Sequence, residues 1–400
     1  MSIWDNLIDQ DNAVNILRKA VKSANSNNPE AVQSMTHAWL ITGPPGSGRS
    51  NAAKYFACAL QCENPQMNNQ NQELEYGCGE CKACISVLKN THPDVTQMAT
   101  EKVIINREEV QELVSIASQA PIQGRWRIII VEDADRMTEI TSNVLLKSIE
   151  EPPAKTVWIL CSPTPNDVIV TIRSRCRNLN LKTPSVEAVT KFLCEKDSID
   201  YDIAKQAVIC AQSHIGMARY LAKNPQARAN RRELIISPIK VRNVVDAVFI
   251  AADLLELATK DANERNEERN IAEKTALLKA MGLEDGEKVP LKLNAQIKQL
   301  EEEQKRRMTR SIRDNLDRIF IDLLGLYRDV LVCQLKSNVN IINIDLKVDI
   351  ESIAAESSFE QTLARMESIS KARLRLQSNV SPLLVIESLV VSLRPQAFEE

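Results

Sequence analysis

The sequence predicts a parallel α/β domain at its N-terminal end and helices throughout the remainder. Three observations predict it. Short β-branched runs alternate with helical patterns up to about residue 183. A glycine-rich loop joins the first of these runs to a helix, and past Pro184 only helical periodicity is left. Strands interleaved with helices pack as a parallel sheet covered on both faces.

Taken in order, the apolar segment His37 to Thr42 reads as a strand that runs into Gly43-Pro-Pro-Gly-Ser-Gly48-Arg49-Ser50. A helical pattern from Ala52 to Leu60 follows. Arg107 to Ala120 carries Val110, Leu113, Val114 and Ala117 at the i, i+3, i+4, i+7 spacing of one helix face. Ile128 to Val131 is a continuous β-branched run bounded by polar residues, the pattern of a strand buried on both faces. A helix from Thr138 to Glu150 stops at Pro152-Pro153, and Thr156 to Cys161 gives another buried strand. Residues 1–183 are therefore expected to form the α/β domain and 184–240 a small helical segment. Residues 241–400 read as a larger helical domain with a polar insertion at about 261–290, expected as a solvated loop or exposed helix. Beyond it Ile297, Leu300, Met308, Ile312, Ile319, Leu323 and Tyr327 recur at helical spacing. Strict heptads are not kept, which favours a core-facing stripe over a free coiled coil.

A chain of 400 residues is long enough for two to four domains. Its 44% hydrophobic and 26% charged content is ordinary for a soluble globular protein. A net charge of −3 gives no global basic signature, so nucleic acid could be met only through a local patch. The N-terminus lacks a signal-peptide pattern, and no stretch approaches the roughly 20 apolar residues of a membrane span. A cytoplasmic protein without a membrane partner is the expectation. Glycine numbers only 10, yet Gly43, Gly46, Gly48, Gly77 and Gly79 crowd between positions 43 and 84, together with Cys62, Cys78, Cys81 and Cys84.

The loop fits G-x-x-x-x-G-K-[ST] except at its seventh position. Its glycines let backbone N–H groups turn around a phosphate, and the following helix adds its N-terminal dipole. Gly43, Pro44, Gly46, Ser47, Gly48, Arg49, Ser50 and Asn51 are thus the candidate binding residues for ATP or ADP, with the Ser50 hydroxyl suited to Mg²⁺. Arg49 stands where lysine is expected. A guanidinium is a wide planar fork rather than a compact point charge, so charge is kept while fit between phosphates is lost. The strand at 128–131 delivers Glu132-Asp133, the reverse of the usual Asp-Glu order. The metal-side carboxylate becomes one methylene too long and the water-polarising one too short; a misplacement of about 1 Å can cost on the order of 10²-fold in rate. Both departures leave nucleotide binding open and argue against efficient hydrolysis.

Cys62 and the Cys78-x-x-Cys81-x-x-Cys84 run have the spacing of a closed tetrahedral Zn²⁺ site, with Gly77 and Gly79 supplying tight turns. Disulfides are the competing reading, which a cytosolic setting disfavours. Four cysteine ligands with no open position point to a structural ion rather than a catalytic one. Lys82, Lys89 and Tyr76 alone accompany the cluster, too little for an autonomous nucleic-acid-binding zinc module.

Several stretches together resemble the bacterial clamp-loader family, the AAA+ subunits of the DNA polymerase III holoenzyme. They are Trp4-Asp-Asn-Leu-Ile-Asp-Gln-Asp-Asn-Ala-Val14, in which Asp9-Gln10 stands for the family's Gly-Gln, and the cysteine module followed by Thr91-His-Pro-Asp94. Val131-Glu-Asp-Ala-Asp-Arg-Met-Thr138, Asn143-Val-Leu-Leu-Lys-Ser-Ile-Glu-Glu-Pro-Pro153, Ser174-Arg-Cys176 and Gly216-Met-Ala-Arg219 complete the match over about residues 1–240. The resemblance implies an AAA+ P-loop NTPase domain with an inserted zinc module at about 62–84, a helical lid over 184–240, and an all-α collar over 241–400. It makes Arg175 an arginine finger offered to the ATP site of a neighbouring subunit, and Arg219 a lid residue that senses nucleotide. It also implies a hetero-pentamer with gamma/tau and delta subunits, acting on a sliding clamp and primer-template DNA. The alternative within the family is an active gamma/tau-type motor, separated from this reading only by Arg49 and the order of Glu132-Asp133.

Overall fold

A computed structural model of the chain describes residues 2–25, 34–68, 73–100, 104–241, 243–280, 294–378 and 380–394. The chain divides into two compact units, Met1–Lys223 and Asn224–Glu400.

The first unit begins with a short turn and helix α1 (Asp11–Asn25), then β1 (Ala38–Thr42) and α2 (Arg49–Gln61). A small excursion follows: β2 (Gln66–Asn68) pairs antiparallel with β3 (Glu73–Glu75), leading to α3 (Lys82–Leu88). The α/β alternation resumes with β4 (Val95–Met98), α4 (Arg107–Ala117), β5 (Arg127–Val131), α5 (Glu139–Glu150), β6 (Thr156–Ser162), the single turn α6 (Val170–Arg173) and β7 (Arg177–Asn180). The helix expected to reach Ala120 ends at Ala117, because residues 118–126 leave the helix to form a loop.

The five main strands form one sheet in the order β4-β5-β6-β1-β7, with every neighbouring pair parallel. All residues of β1, β5 and β6 are buried, which is why they carry uninterrupted apolar runs. Trp39, Phe56, Ile41, Ile128 and Ile130 pack on one face, with Leu40, Ile129, Trp158 and Leu160 on the other. The loop 120–124 is pinned by Asp94, fully buried, whose carboxylate accepts from the N–H groups of Ile122 and Gln123 at 2.7 Å and of Gly124 at 2.5 Å. Those donors and Arg127, 3.3 Å away, keep Asp94 below the usual carboxylate range although burial opposes it.

Several hydrogen bonds tie the N-terminal turn to the rest. The Trp4 indole N–H donates to the Tyr76 carbonyl at 3.0 Å, seating the turn on the cysteine module. Asp9 has φ +58°, the left-handed region for which glycine is the ordinary choice. Its carboxylate accepts from Lys182 Nζ at 2.7 Å and from Ser185 N–H at 2.8 Å, interactions that hold its pKa down and offset the backbone strain. Gln10 exchanges two hydrogen bonds with the backbone of Lys182.

Helices α7 (Val186–Asp197), α8 (Tyr201–Cys210) and α9 (Ile215–Lys223) complete this unit. The second unit is helical: α10 (Pro225–Ile236), α11 (Val244–Ala280), α12 (Asn294–Gln334), α13 (Lys347–Glu356), α14 (Phe359–Gln377) and α15 (Pro382–Ser392). Ile319, Leu323 and Tyr327 of α12 are buried in one core with Ile369, Ile386 and Leu389, and Ile312 packs against it, so this part of the stripe faces a core, whereas Ile297, Leu300 and Met308 are half-buried and lie outside that core. Residues 261–280 of the polar insertion continue α11 as a helix, and 281–290 lie outside the described residues. That helix is braced to α12 by Glu273, which accepts from Arg307 Nη1 at 2.8 Å and Nη2 at 2.5 Å. The Arg307 bonds hold the Glu273 pKa down at about 2, with Arg269 adding to them against the cost of burial.

Candidate functional site: a phosphate loop, a cysteine cluster and an exposed arginine

The loop between β1 and α2 has the backbone that its glycines foretell. Gly46 and Gly48 have φ +84° and +92°, and α2 starts at Gly48 without a side-chain cap. Its first amides are therefore left to a ligand or solvent. Ser47 is 3% exposed and its Oγ has no hydrogen-bond partner; Arg49 Nη1 is likewise buried and unpartnered. Two orphaned donors beside uncapped amides fit a phosphate. Ser50 is half-buried, whereas Pro44 and Asn51 are exposed.

The acidic pair is engaged elsewhere. Glu132 accepts a hydrogen bond from Gln97 Nε2 on β4. Asp133 adopts φ +52° and lies 3.7 Å from Arg136. Asp135, two residues on, lies in the field of Arg49. Burial, reinforced by the Asp133 charge, raises its pKa, and its Oδ1 has no hydrogen-bond partner. Asp135 was not among the sequence candidates; the Asp-x-Asp spacing of Asp133 and Asp135 is the signal that could have found it. Cys161 at the end of β6 is pushed up to about 12, chiefly by burial.

His214 lies against this loop. A Cβ added to Gly46 would fall 2.5 Å from His214 Cγ and 2.8 Å from its Cα, so glycine is required there by contact as well as by φ. The imidazole also caps α9: its Nδ1 accepts from the Met217 N–H at 3.2 Å. Arg219, on the same helix, donates Nε to Asp197 Oδ2 at 2.7 Å and lies over the Phe192 ring. Its hydrogen-bond and ring partners thus belong to α7, while its charge also acts on Tyr55 of α2.

The four cysteines come together as their spacing requires. The sulfurs of Cys62, Cys78, Cys81 and Cys84 all lie within 4.8 Å of one another. Cys62 to Cys78 is 3.9 Å and Cys78 to Cys84 is 3.8 Å. A tetrahedral ion with bonds of about 2.3 Å separates its sulfur ligands by about 3.8 Å, so the cage has the right size. Gly77 and Gly79, at φ +94° and +76°, turn the chain around it. Backbone N–H groups of Cys81 and Cys84 point at the sulfurs of Cys78 and Cys81, at 3.3 and 3.4 Å, which favours thiolate. The bond with Cys84, then burial, pushes the Cys62 thiol up to about 12, so the cluster itself resists carrying four negative charges without a cation. The cluster could hold a metal ion.

Arg175 follows α6 on an exposed turn, between Ser174 and the buried Cys176. Its Nε lies 2.5 Å from Glu150 Oε1, and Nη1 donates to the Thr171 carbonyl at 2.8 Å and to Ser174 Oγ at 3.4 Å. Glu150 lies within the stretch Asn143 to Pro153, but nothing in the sequence pairs it with Arg175.

Among the described residues, no helix is long and apolar enough to cross a membrane.

Comparison with known proteins bears out the resemblance. Residues 17–185 match a family model described as DNA polymerase III, delta subunit. The chain is 34% identical to the DNA polymerase III subunit delta' of Pseudomonas aeruginosa over 159 residues, which cover 39% of this chain and 46% of that one. It is 30% identical to the subunit gamma/tau of Mycobacterium bovis over 174 residues, 42% of this chain and 29% of the relative. Against the subunit delta' of Bacillus subtilis the identity is 25% over 364 residues, covering 90% of this chain and 91% of the relative. The matched stretch thus spans less than half of the first two relatives.

Proposed function

We propose, on the premise that residues 17–185 match the DNA polymerase III delta-subunit family, that this protein works as a delta-prime-type subunit of a clamp loader. In this reading the chain has three parts: an AAA+ domain over 1–183, a lid over 184–240 and an oligomerising collar over 241–400. It assembles with gamma/tau and delta subunits into a hetero-pentamer that places a sliding clamp on primed DNA. The observation that carries the reading is Arg175, 40% exposed on its Ser-Arg-Cys turn and partnered by no residue of its own phosphate loop. A guanidinium offered across an interface can stabilise charge on a transferring phosphoryl group, worth about 10³–10⁵ in rate.

The chain's own loop is suited to holding a nucleotide rather than turning it over. Ser47, Gly48, Arg49 and Ser50 would bind the phosphates of ATP or ADP, with Mg²⁺ beside Ser50. Glu132 is engaged by Gln97 and Asp133 lies in a bend beside Arg136, so neither is poised as general base. Cys62, Cys78, Cys81 and Cys84 would hold Zn²⁺, which closes the excursion between α2 and α3 and supplies no catalysis. The likeness to a gamma/tau subunit supports a second reading, an active motor. Steady-state ATP turnover of the purified full chain separates the two. Turnover at background, with or without primed DNA, is expected; substantial turnover of the lone chain would assign it to the motor class.

A further inference from the structure

We propose that Glu150 is a positioning residue for Arg175. This rests on the reading of Arg175 as a group donated to a neighbouring ATP site. Glu150 is the last residue of α5, stopped there by Pro152-Pro153, while Arg175 belongs to the turn after α6. The chain therefore brings together two residues 25 positions apart on separate elements. Glu150 Oε1 takes Nε at 2.5 Å, and the Thr171 carbonyl takes Nη1 at 2.8 Å. Nη2 has no partner among the described residues, which leaves that nitrogen for an incoming phosphate oxygen.

A lone arginine on an exposed turn would sample many rotamers, and ordering it on contact with a phosphate would cost about 2 kcal/mol. Two acceptors on different backbone segments fix the plane of the fork before the partner arrives. Beneath them Cys176 is buried in the core, which holds the turn itself. Glu150 is exposed enough, at 43%, that replacing it leaves the core untouched. Its role in this proposal is exerted only through Arg175.

The test uses the full chain assembled with the ATP-hydrolysing subunits of the loader, and compares Glu150→Ala, Glu150→Gln, Arg175→Ala and the Glu150→Ala/Arg175→Ala double variant. Glu150→Ala is expected to lower kcat for ATP by about 10-fold or more, leaving KM and assembly unchanged, as loss of a fixed geometry does. Glu150→Gln keeps an oxygen to accept from Nε and should recover most of that loss. The double variant should be no slower than Arg175→Ala alone, because both act through one group. If Arg175→Ala is slow while Glu150→Ala matches the unsubstituted complex, or turns over faster, Glu150 has no positioning role and the donated arginine stands. If Arg175→Ala itself leaves turnover unchanged, the donated arginine and the role of Glu150 fall together.

Discussion

Replacing Gly46 by alanine probes the contact between the phosphate loop and the helix that covers it. The new Cβ must exist at φ +84°, where a side chain costs about 1–2 kcal/mol. It would also lie 2.5 Å from His214 Cγ, 2.7 Å from Cδ2 and 2.8 Å from Cα. The Cα belongs to backbone and cannot swing aside, so overpacking adds about 1–3 kcal/mol. The expected destabilisation is about 2–5 kcal/mol. His214→Ala alone loses the cap on Met217 N–H, worth about 0.5–2 kcal/mol, and removes two of the three close atoms. Gly46→Ala should then cost at least about 1 kcal/mol less in the His214→Ala background. Denaturant unfolding followed by tryptophan fluorescence measures this, because Trp4, Trp39, Trp126 and Trp158 all lie in the first unit. If the two substitutions add to within about 0.5 kcal/mol, α9 does not rest on the loop as described.

Two further outcomes are expected. The purified chain should carry about one zinc ion, and Cys81→Ser, at the most exposed of the four ligands, should lower both zinc content and melting temperature; a metal-free wild-type chain of equal stability would rule out the zinc cage. Glu273, whose carboxyl is held at about 2 by Arg307 and Arg269 against an ordinary value of 4.5, stabilises the α11–α12 pair fully above that ordinary value. Because its folded pKa is depressed, the contribution fades as pH falls through about 4.5 toward 2. Amide exchange in residues 261–280 should therefore quicken with acid beyond its intrinsic pH dependence, and Glu273→Gln should abolish that excess. An excess that survives the substitution would locate the acid sensitivity elsewhere.

What could be read from the sequence follows burial and locality. β1, β5 and β6 sit inside the sheet and announce themselves as apolar runs. β4 and β7 are its edges. Val-Thr-Gln-Met is only half-buried throughout, and in Arg-Asn-Leu-Asn Leu179 alone is buried, so neither carried a strand signal. The cysteine cage was legible because three of its ligands fall within seven residues and their geometry is set by local turns. The residues left unassigned are those whose meaning depends on distant partners. His214 matters through Gly46, Glu150 through Arg175, and Asp135 through Arg49. Asp9 shows the converse: a departure from the family's glycine is carried by Lys182 and the Ser185 amide, more than 170 residues along the chain.

The most direct measurement is ATP turnover by the assembled loader with Arg175→Ala in this chain alone. Assembly is expected to be retained, while hydrolysis at the site facing Arg175 falls by about 10³–10⁵. A complex that assembles and hydrolyses ATP at the unsubstituted rate would contradict the claim that this protein works by lending its arginine to a neighbour.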